Sequence, residues 1–408
     1  MKPQRVTSIR ALVVVLLLVA LGGSATAPAG AATLWQRLDR ALTVSGVPRA
    51  KTGALAINLN TGRWVYSLHA ARSLQPASNQ KLGVALTTLD RLGPSYRVRT
   101  DVRGAGSRSG SVWRGRLVLK GYGDPTLNKA DLRTLARRLY RLGIRRVTGR
   151  VIGDESYYDR RRTGPGWKPS WYKVESPPLS ALLVNRARVN GRTVDNPARA
   201  AAIAFRSALV AAGIRVPRGV SIRSAPPSLR LTGVLSAPLS RLVWRMDKVS
   251  DNFFAEMLLK HLGKTQRGAG TTAAGARVVT NELRARRVPL RGVRVADGSG
   301  LSPYNRLTAR ALAALLTSAW RDPAVRAPFV TSLPIAGVDG TLEDRLERGP
   351  AYRRVRAKTG TTRGASALSG YVTSRYVFSV VQNGNPVSWL DARRAQNRFA
   401  QVLADAAT

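Results

Sequence analysis

The sequence has 408 residues, 44% of them hydrophobic, and a formal net charge of +45 from 67 Lys and Arg against 22 Asp and Glu. The length implies two or three domains, and the apolar content excludes a disordered low-complexity chain. There is no Cys, which rules out disulfides, thiolate catalysis and Cys-ligated metal. The only two histidines, His69 and His261, sit in no recognisable motif and read as surface or core residues, so neither a metal nor a cofactor is expected.

The first residues have the form of an export signal. Lys2, Arg5 and Arg10 give a positive start, residues 11–21 are apolar, and Ala29-Gly30-Ala31 offers a cleavage site. The apolar run is short for a membrane span, so residues 1–31 are either a cleaved signal or a retained anchor. No later stretch is long and apolar enough to be expected to cross a bilayer. Leu34, Leu38 and Leu42 then have helical spacing over residues 33–45. Residues 53–69 read as a hairpin turning at Asn60-Thr61-Gly62. A strong helix is predicted over 78–92, with Leu82, Ala85, Leu86 and Leu89 on one face and a stop at Gly93-Pro94.

From about residue 96 short strand-like runs (117–119, 147–152) alternate with glycine turns and one amphipathic helix over 129–142. Proline and glycine cluster at 164–178, and Pro226-Pro227 marks another loop. Residues 97–237 therefore read as an insertion into a chain made of 32–96 and 238–408. Helical patterning returns over 239–262, 269–287 and 308–321. The end reads strand, strand, helix at 367–372, 376–381 and 389–406.

Three short motifs carry chemistry when taken in order. Ser78-Asn79-Gln80-Lys81 stands at a helix start, where residues three apart share a face. A hydroxyl needs an adjacent base to attack, and Lys81 serves if it is neutral. Desolvation and the positive helix end both favour that state. Ser170-Trp171-Tyr172-Lys173 has the same spacing but lies between prolines, where no helix runs, and reads as a loop. Ser250-Asp251-Asn252, before a helical run, offers a second hydroxyl and an amide for proton relay and substrate orientation. Lys358-Thr359-Gly360 precedes the strand at 367–372. A cation there suits a substrate carboxylate, Gly360 allows close approach, and the N–H of Thr361 is a candidate oxyanion donor. Arg-Ala-Lys-Thr-Gly also occurs at 49–53, upstream of Ser78, and there reads as a surface loop.

The ordered set of Ser-x-x-Lys, Ser-x-Asn and Lys-Thr-Gly resembles that of penicillin-binding proteins and serine β-lactamases. The long gap from Lys81 to Ser250 resembles the low-molecular-mass class C penicillin-binding proteins, the D-alanyl-D-alanine carboxypeptidase/endopeptidase family. Pro76-Ala77-Ser78, Gly123-Asp124-Pro125-Thr126-Leu127, Ser176-Pro177-Pro178, Asp297-Gly298-Ser299-Gly300 and residues 333–342 are similar too, so the likeness extends over nearly the whole chain after the signal. The resemblance implies an α/β (α+β) fold: a transpeptidase-like domain of helices around an antiparallel sheet, with a smaller mixed domain inserted. It implies acylation of Ser78 by the terminal D-alanyl-D-alanine of peptidoglycan stem peptides. Lys81 would be the base, Ser250 the proton relay, and Asn252 and Lys358 would hold the site, with the Ser78 and Thr361 amides as the oxyanion hole. Thr359 and Gly360 would line the substrate, and β-lactam antibiotics would acylate Ser78 as mimics. It further implies that Asp154 contacts the amine end, and Arg345 the carboxylate, of a diamino acid side chain. Ordinary surface charges are the other reading of those two.

The charge excess suits anionic wall polymers, or reflects an Arg-rich composition without a partner. Scattered Arg residues and the export signal weigh against nucleic acid. A β-lactamase or esterase of the same superfamily, and a non-catalytic wall-binding protein, remain as alternatives.

Overall fold

A computed structural model describes residue 1 and residues 32–408; the signal segment lies outside the described residues. Leu34–Thr408 forms one compact unit. The chain opens with helix α1 (Leu34–Leu42) and the hairpin β1 (Thr52–Asn58) and β2 (Trp64–Leu68), followed by α2 (Lys81–Leu92). Two long strands come next, β3 (Arg97–Ser109) and β4 (Val112–Gly121), then α3 (Lys129–Arg141), β5 (Arg146–Val147) and β6 (Val151–Asp154). A small hairpin of β7 (Arg188–Val189) and β8 (Arg192–Thr193) precedes α4 (Pro197–Ala211), β9 (Val220–Ile222) and β10 (Leu229–Pro238). Five helices follow: α5 (Leu239–Lys248), α6 (Asn252–Arg267), α7 (Thr272–Ala285), α8 (Ala309–Arg321) and α9 (Pro323–Ser332). The chain closes with β11 (Val355–Thr362), β12 (Ala365–Val372), β13 (Tyr376–Asn383) and α10 (Trp389–Asp405).

The two ends of the chain share one antiparallel sheet, ordered β11-β12-β13-β1-β2. Strand β12 is buried along its whole length, because both faces are covered. Alternate residues enter different cores. Leu55, Ile57, Ala367, Tyr371 and Val381 pack with α2 and α8. Ala54, Ala56, Leu368, Val372 and Phe378 pack with α1 and α10. A second sheet, ordered β10-β3-β4-β6-β9, is built entirely from residues 97–238. Its β3/β4 pair is antiparallel and its β4-β6-β9 run parallel. Helices α3 and α4 are its crossovers, and they bury Leu135, Leu139, Phe205 and Leu209 with Leu117, Leu119 and Val151 in a third core.

Three helical regions depart from the sequence reading. The helical run expected over 239–262 is two helices, broken at Ser250, whose φ is +56°. Helix α4 was not anticipated because its Ala-rich sequence gives little apolar contrast. Its Asn196 cap on Arg199 N (3.0 Å), with Pro197 in the first turn, was nevertheless a legible start signal. Helix α9 was hidden by Pro323 and Pro328, the second lying inside it. Pro at a helix start is tolerated, but an internal Pro argues against a helix.

Phe205 is fully buried in the third core. Phe205→Ala is expected to destabilise the chain by about 3–5 kcal/mol, measured by urea denaturation.

Candidate active site

Ser78 lies in a 3-10 turn (Ala77–Gln80) leading straight into α2. Ala77 has φ +47°, a conformation sparsely used by non-glycine residues, and it turns the chain just before the hydroxyl. One turn on, Lys81 is completely buried. Its Nζ donates to Ser78 Oγ (2.9 Å), Asn252 Oδ1 (2.8 Å) and the Ser299 carbonyl (2.7 Å). The last two acceptors have no hydrogen to give. In the neutral amine they hold its two N–H groups, and the lone pair is left facing Ser78 Oγ, the one partner that can donate. Burial pushes the Lys81 pKa down to about 8, against the raising influence of Asp297, Glu256, Asp247 and Asp251.

The break between α5 and α6 sets the second motif. Asp251 caps α6 on Phe254 N (3.2 Å) and is gripped by Arg186 through both guanidinium nitrogens (2.6 and 3.2 Å). This fixes Asn252 beside Lys81, while the positive φ of Ser250 leaves its Oγ to accept from Lys358 Nζ at 2.9 Å. Lys358 also donates to the Thr359 carbonyl (2.9 Å) and is fully buried. Burial and the neighbouring Lys81 charge lower its pKa, and Asp247 opposes them.

Strand β11 is locked to the Ser78 turn. Asn79 Nδ2 donates to the Lys358 carbonyl (3.0 Å). A Cβ on Gly360 would sit 2.9 Å from the Pro76 carbonyl and 3.0 Å from Ser78 N, so only glycine fits there. Thr359 Oγ1 donates to Thr341 Oγ1 (2.6 Å), and Thr361 is exposed beside them. The structure thus brings Ser78, Lys81, Ser250, Asn252, Lys358, Thr359, Gly360 and Thr361 to one place.

It does not bring Asp154 and Arg345 into that hydrogen-bonded cluster. Asp154 is buried at the end of β6, where it accepts from Lys120 Nζ (3.0 Å), Ala225 N (2.9 Å) and Ser156 N (2.8 Å). An incoming amine would have to displace Lys120. Arg345 is buried against α10, donating to Asn397 Oδ1 (2.7 Å) and Gln396 Oε1 (3.2 Å). Burial lowers its pKa to about 9, with Arg393 adding to the effect. Lys51 and Ser170 are exposed, and Lys173 pairs with Asp195 (2.8 Å). His261 is a core residue: Nδ1 lies 3.1 Å from the Tyr122 carbonyl and Nε2 3.1 Å from Tyr96 Oη, and burial pulls its pKa down to about 4.

Several contributors carry no motif. Ser299 is presented by a loop wound around Asp297, which accepts from Gly300 N (2.9 Å), Ser302 N (2.6 Å) and Trp167 Nε1 (2.9 Å). Glu256 accepts from Gly298 N (2.9 Å) and Ser299 N (2.8 Å), and burial with the nearby Asp297 raises its pKa. Glu175 accepts from Asn252 Nδ2 at its carbonyl (3.1 Å) and approaches it with its carboxylate (3.4 Å). Segments 297–302 and 333–342 were visible as similar stretches, but their partners were not. Glu175 gave no signal.

The family model described as D-Ala-D-Ala carboxypeptidase 3 (S13) matches residues 34–193 and 186–406. The chain is 32% identical to a D-alanyl-D-alanine carboxypeptidase of Actinomadura sp. (strain R39), covering 86% of this chain and 81% of that one. It is 33% identical to the carboxypeptidase DacB of Mycolicibacterium smegmatis, covering 79% and 74%. In fold it is similar to penicillin binding protein 4 of Haemophilus influenzae: TM-score 0.80, 22% identity, 91% of this chain and 98% of that one.

If neutral Lys81 is the base, acylation of Ser78 by a penicillin rises about tenfold per pH unit below its pKa and levels off above about 8. Stopped-flow fluorescence with a labelled penicillin checks this. Gly300 has φ +88°, and a Cβ there would lie 1.9 Å from the Ala77 carbonyl. Gly300→Ala is expected to displace the Ser78 turn and slow acylation about a hundredfold, with circular dichroism confirming that the variant is folded.

Proposed function

The chain belongs to the D-Ala-D-Ala carboxypeptidase 3 (S13) family, and we propose that Ser78 is the nucleophile of its serine-type D-alanyl-D-alanine carboxypeptidase activity. The single observation that carries this assignment is the contact of buried Lys81 with Ser78 Oγ at 2.9 Å, its remaining hydrogens held by Asn252 and Ser299.

The substrate is the terminal D-alanyl-D-alanine of a peptidoglycan stem peptide. Its C-terminal carboxylate meets Lys358 and Thr359, and its backbone runs along β11. That strand is the edge of the sheet, and although Ala357 N is taken by the Pro334 carbonyl (3.0 Å), its end beyond Lys358 is open to an added strand. Ser78 Oγ attacks the carbonyl carbon as its proton passes to Lys81 Nζ. The oxyanion is received by the amides of Ser78 and Thr361. Collapse breaks the C–N bond, and the leaving nitrogen takes a proton through Ser250 Oγ, which Lys358 orients at 2.9 Å. Free D-alanine departs and leaves an ester on Ser78. Water adds to the ester, Ser78 Oγ recovers its proton, and the shortened peptide is released. A β-lactam follows the first half of this sequence, but its leaving amine stays tethered. The H. influenzae protein has been solved with a β-lactam bound. This substrate lies outside the cytoplasmic membrane, which agrees with the export signal read at residues 1–31.

Incubation with purified muropeptides is expected to remove one alanine from pentapeptide stems, seen by mass spectrometry. Ser78→Ala is expected to abolish both that loss and labelling by fluorescent penicillin, at unchanged fold. Cleavage of crosslinks without loss of a terminal alanine would identify an endopeptidase instead. Rapid turnover of the penicilloyl ester would identify a β-lactamase.

A further inference from the structure

Residues 97–238 carry an apolar trough of about 610 Å³ on α4. Its floor is made by small residues of that helix, Ala200, Ala204, Ala208 and Ala211. Two exposed large apolar side chains line it, Val189 (38%) and Ile203 (45%), and a third, Val210 (52%), stands beside it on α4. Val210 follows Ile203 by two helical turns and shares its face.

Four cations line the same trough: Lys129 and Arg133 of α3, Arg188 of β7 and Arg199 of α4. Among the described residues, no Asp or Glu lines it. The acids nearest in sequence are already engaged. Asp131 accepts from Asn128 N (3.0 Å), and Asp195 accepts from Lys173 Nζ (2.8 Å) and Tyr172 Oη (3.0 Å).

Topology places the cations at one end. Strands β4, β6 and β9 are parallel, so their crossover helices α3 and α4 run in the same direction and begin at the same end of the sheet. Lys129, Arg133 and Arg199 all belong to the first two turns of those helices. From there the apolar floor continues along α4 to Ala211, about 18 Å at 1.5 Å per residue.

We propose that this face docks on the anionic surface of a lipid bilayer. Phosphate headgroups meet the four cations, and Val189, Ile203 and Val210 enter the acyl region. A sugar-phosphate polymer would satisfy the cations and leave the trough uncovered. A neutral apolar partner would bury four uncompensated charges. Only an amphiphile with a concentrated anionic end matches both. The inference is independent of the Ser78 assignment.

The absence of Cys lets one engineered thiol report the docking face. The full chain carrying Val210→Cys, labelled with an environment-sensitive fluorophore, is mixed with vesicles of equal parts phosphatidylglycerol and phosphatidylcholine. Its emission is expected to shift to the blue and to be quenched by spin-labelled acyl chains, whereas a label at Thr61→Cys should not respond. Arg133→Gln and Arg199→Gln should each weaken vesicle binding about fivefold, the equivalent of about 1 kcal/mol per cation near the surface. Arg63→Gln, on the distant hairpin, should change it less than about twofold, and Ile203→Ser should reduce quenching at unchanged charge. An unshifted label on chain that binds the vesicles overturns the proposal, as does failure to bind them. So does a response confined to soluble anionic detergent or to an acidic peptide.

Discussion

The buried ammonium of Lys81 holds the site together. Its three hydrogen bonds reach three segments far apart in sequence, at Ser78, Asn252 and Ser299. A lysine without exposure is tolerable only when every hydrogen has an acceptor. That requirement fixes the α2 start, the α5–α6 break and the Asp297 loop relative to one another. Removing any acceptor would free the amine to choose other partners.

The same logic governs the charges around it. Lys81 and Lys358 are both fully buried, and the charge of Lys81 disfavours that of Lys358. Asp247, Glu256 and Asp297, also buried, balance them. Burial moves the lysines down and the acids Asp247 and Glu256 up, toward a common range. The site thus gathers two lysines and two acids whose ordinary pKa values lie far apart and are drawn together by burial.

The motifs were legible because each places a particular functional group at a particular local geometry. A Ser and a Lys three apart at a helix start must share a face, and a Lys-Thr-Gly beside an apolar run must lie near a strand. The α/β character and most helices could likewise be read from periodicity. Long-range closure could not. Nothing local in Glu175 points to Asn252, and nothing in Asn79 points to the Lys358 carbonyl, 279 positions away. The break at Ser250 was hidden because apolar spacing continues through it, so a single helix looked adequate. Asp154 and Arg345 were singled out by likeness alone. Their surroundings are tertiary: Lys120 neutralises one, and the amides of Gln396 and Asn397 wrap the other.

The whole second sheet is strung between the two partners of one contact, Lys81 and Asn252 being 171 positions apart. Contacts of such long span form late, because the intervening loop must be ordered before they bring any gain. A growing polypeptide therefore presents Ser78 well before Ser250, Asn252 and Lys358, which surround it, have been synthesised. The last member of the cluster comes only with β11, so a chain that stops short of that strand lacks the contact between Ser250 and Lys358.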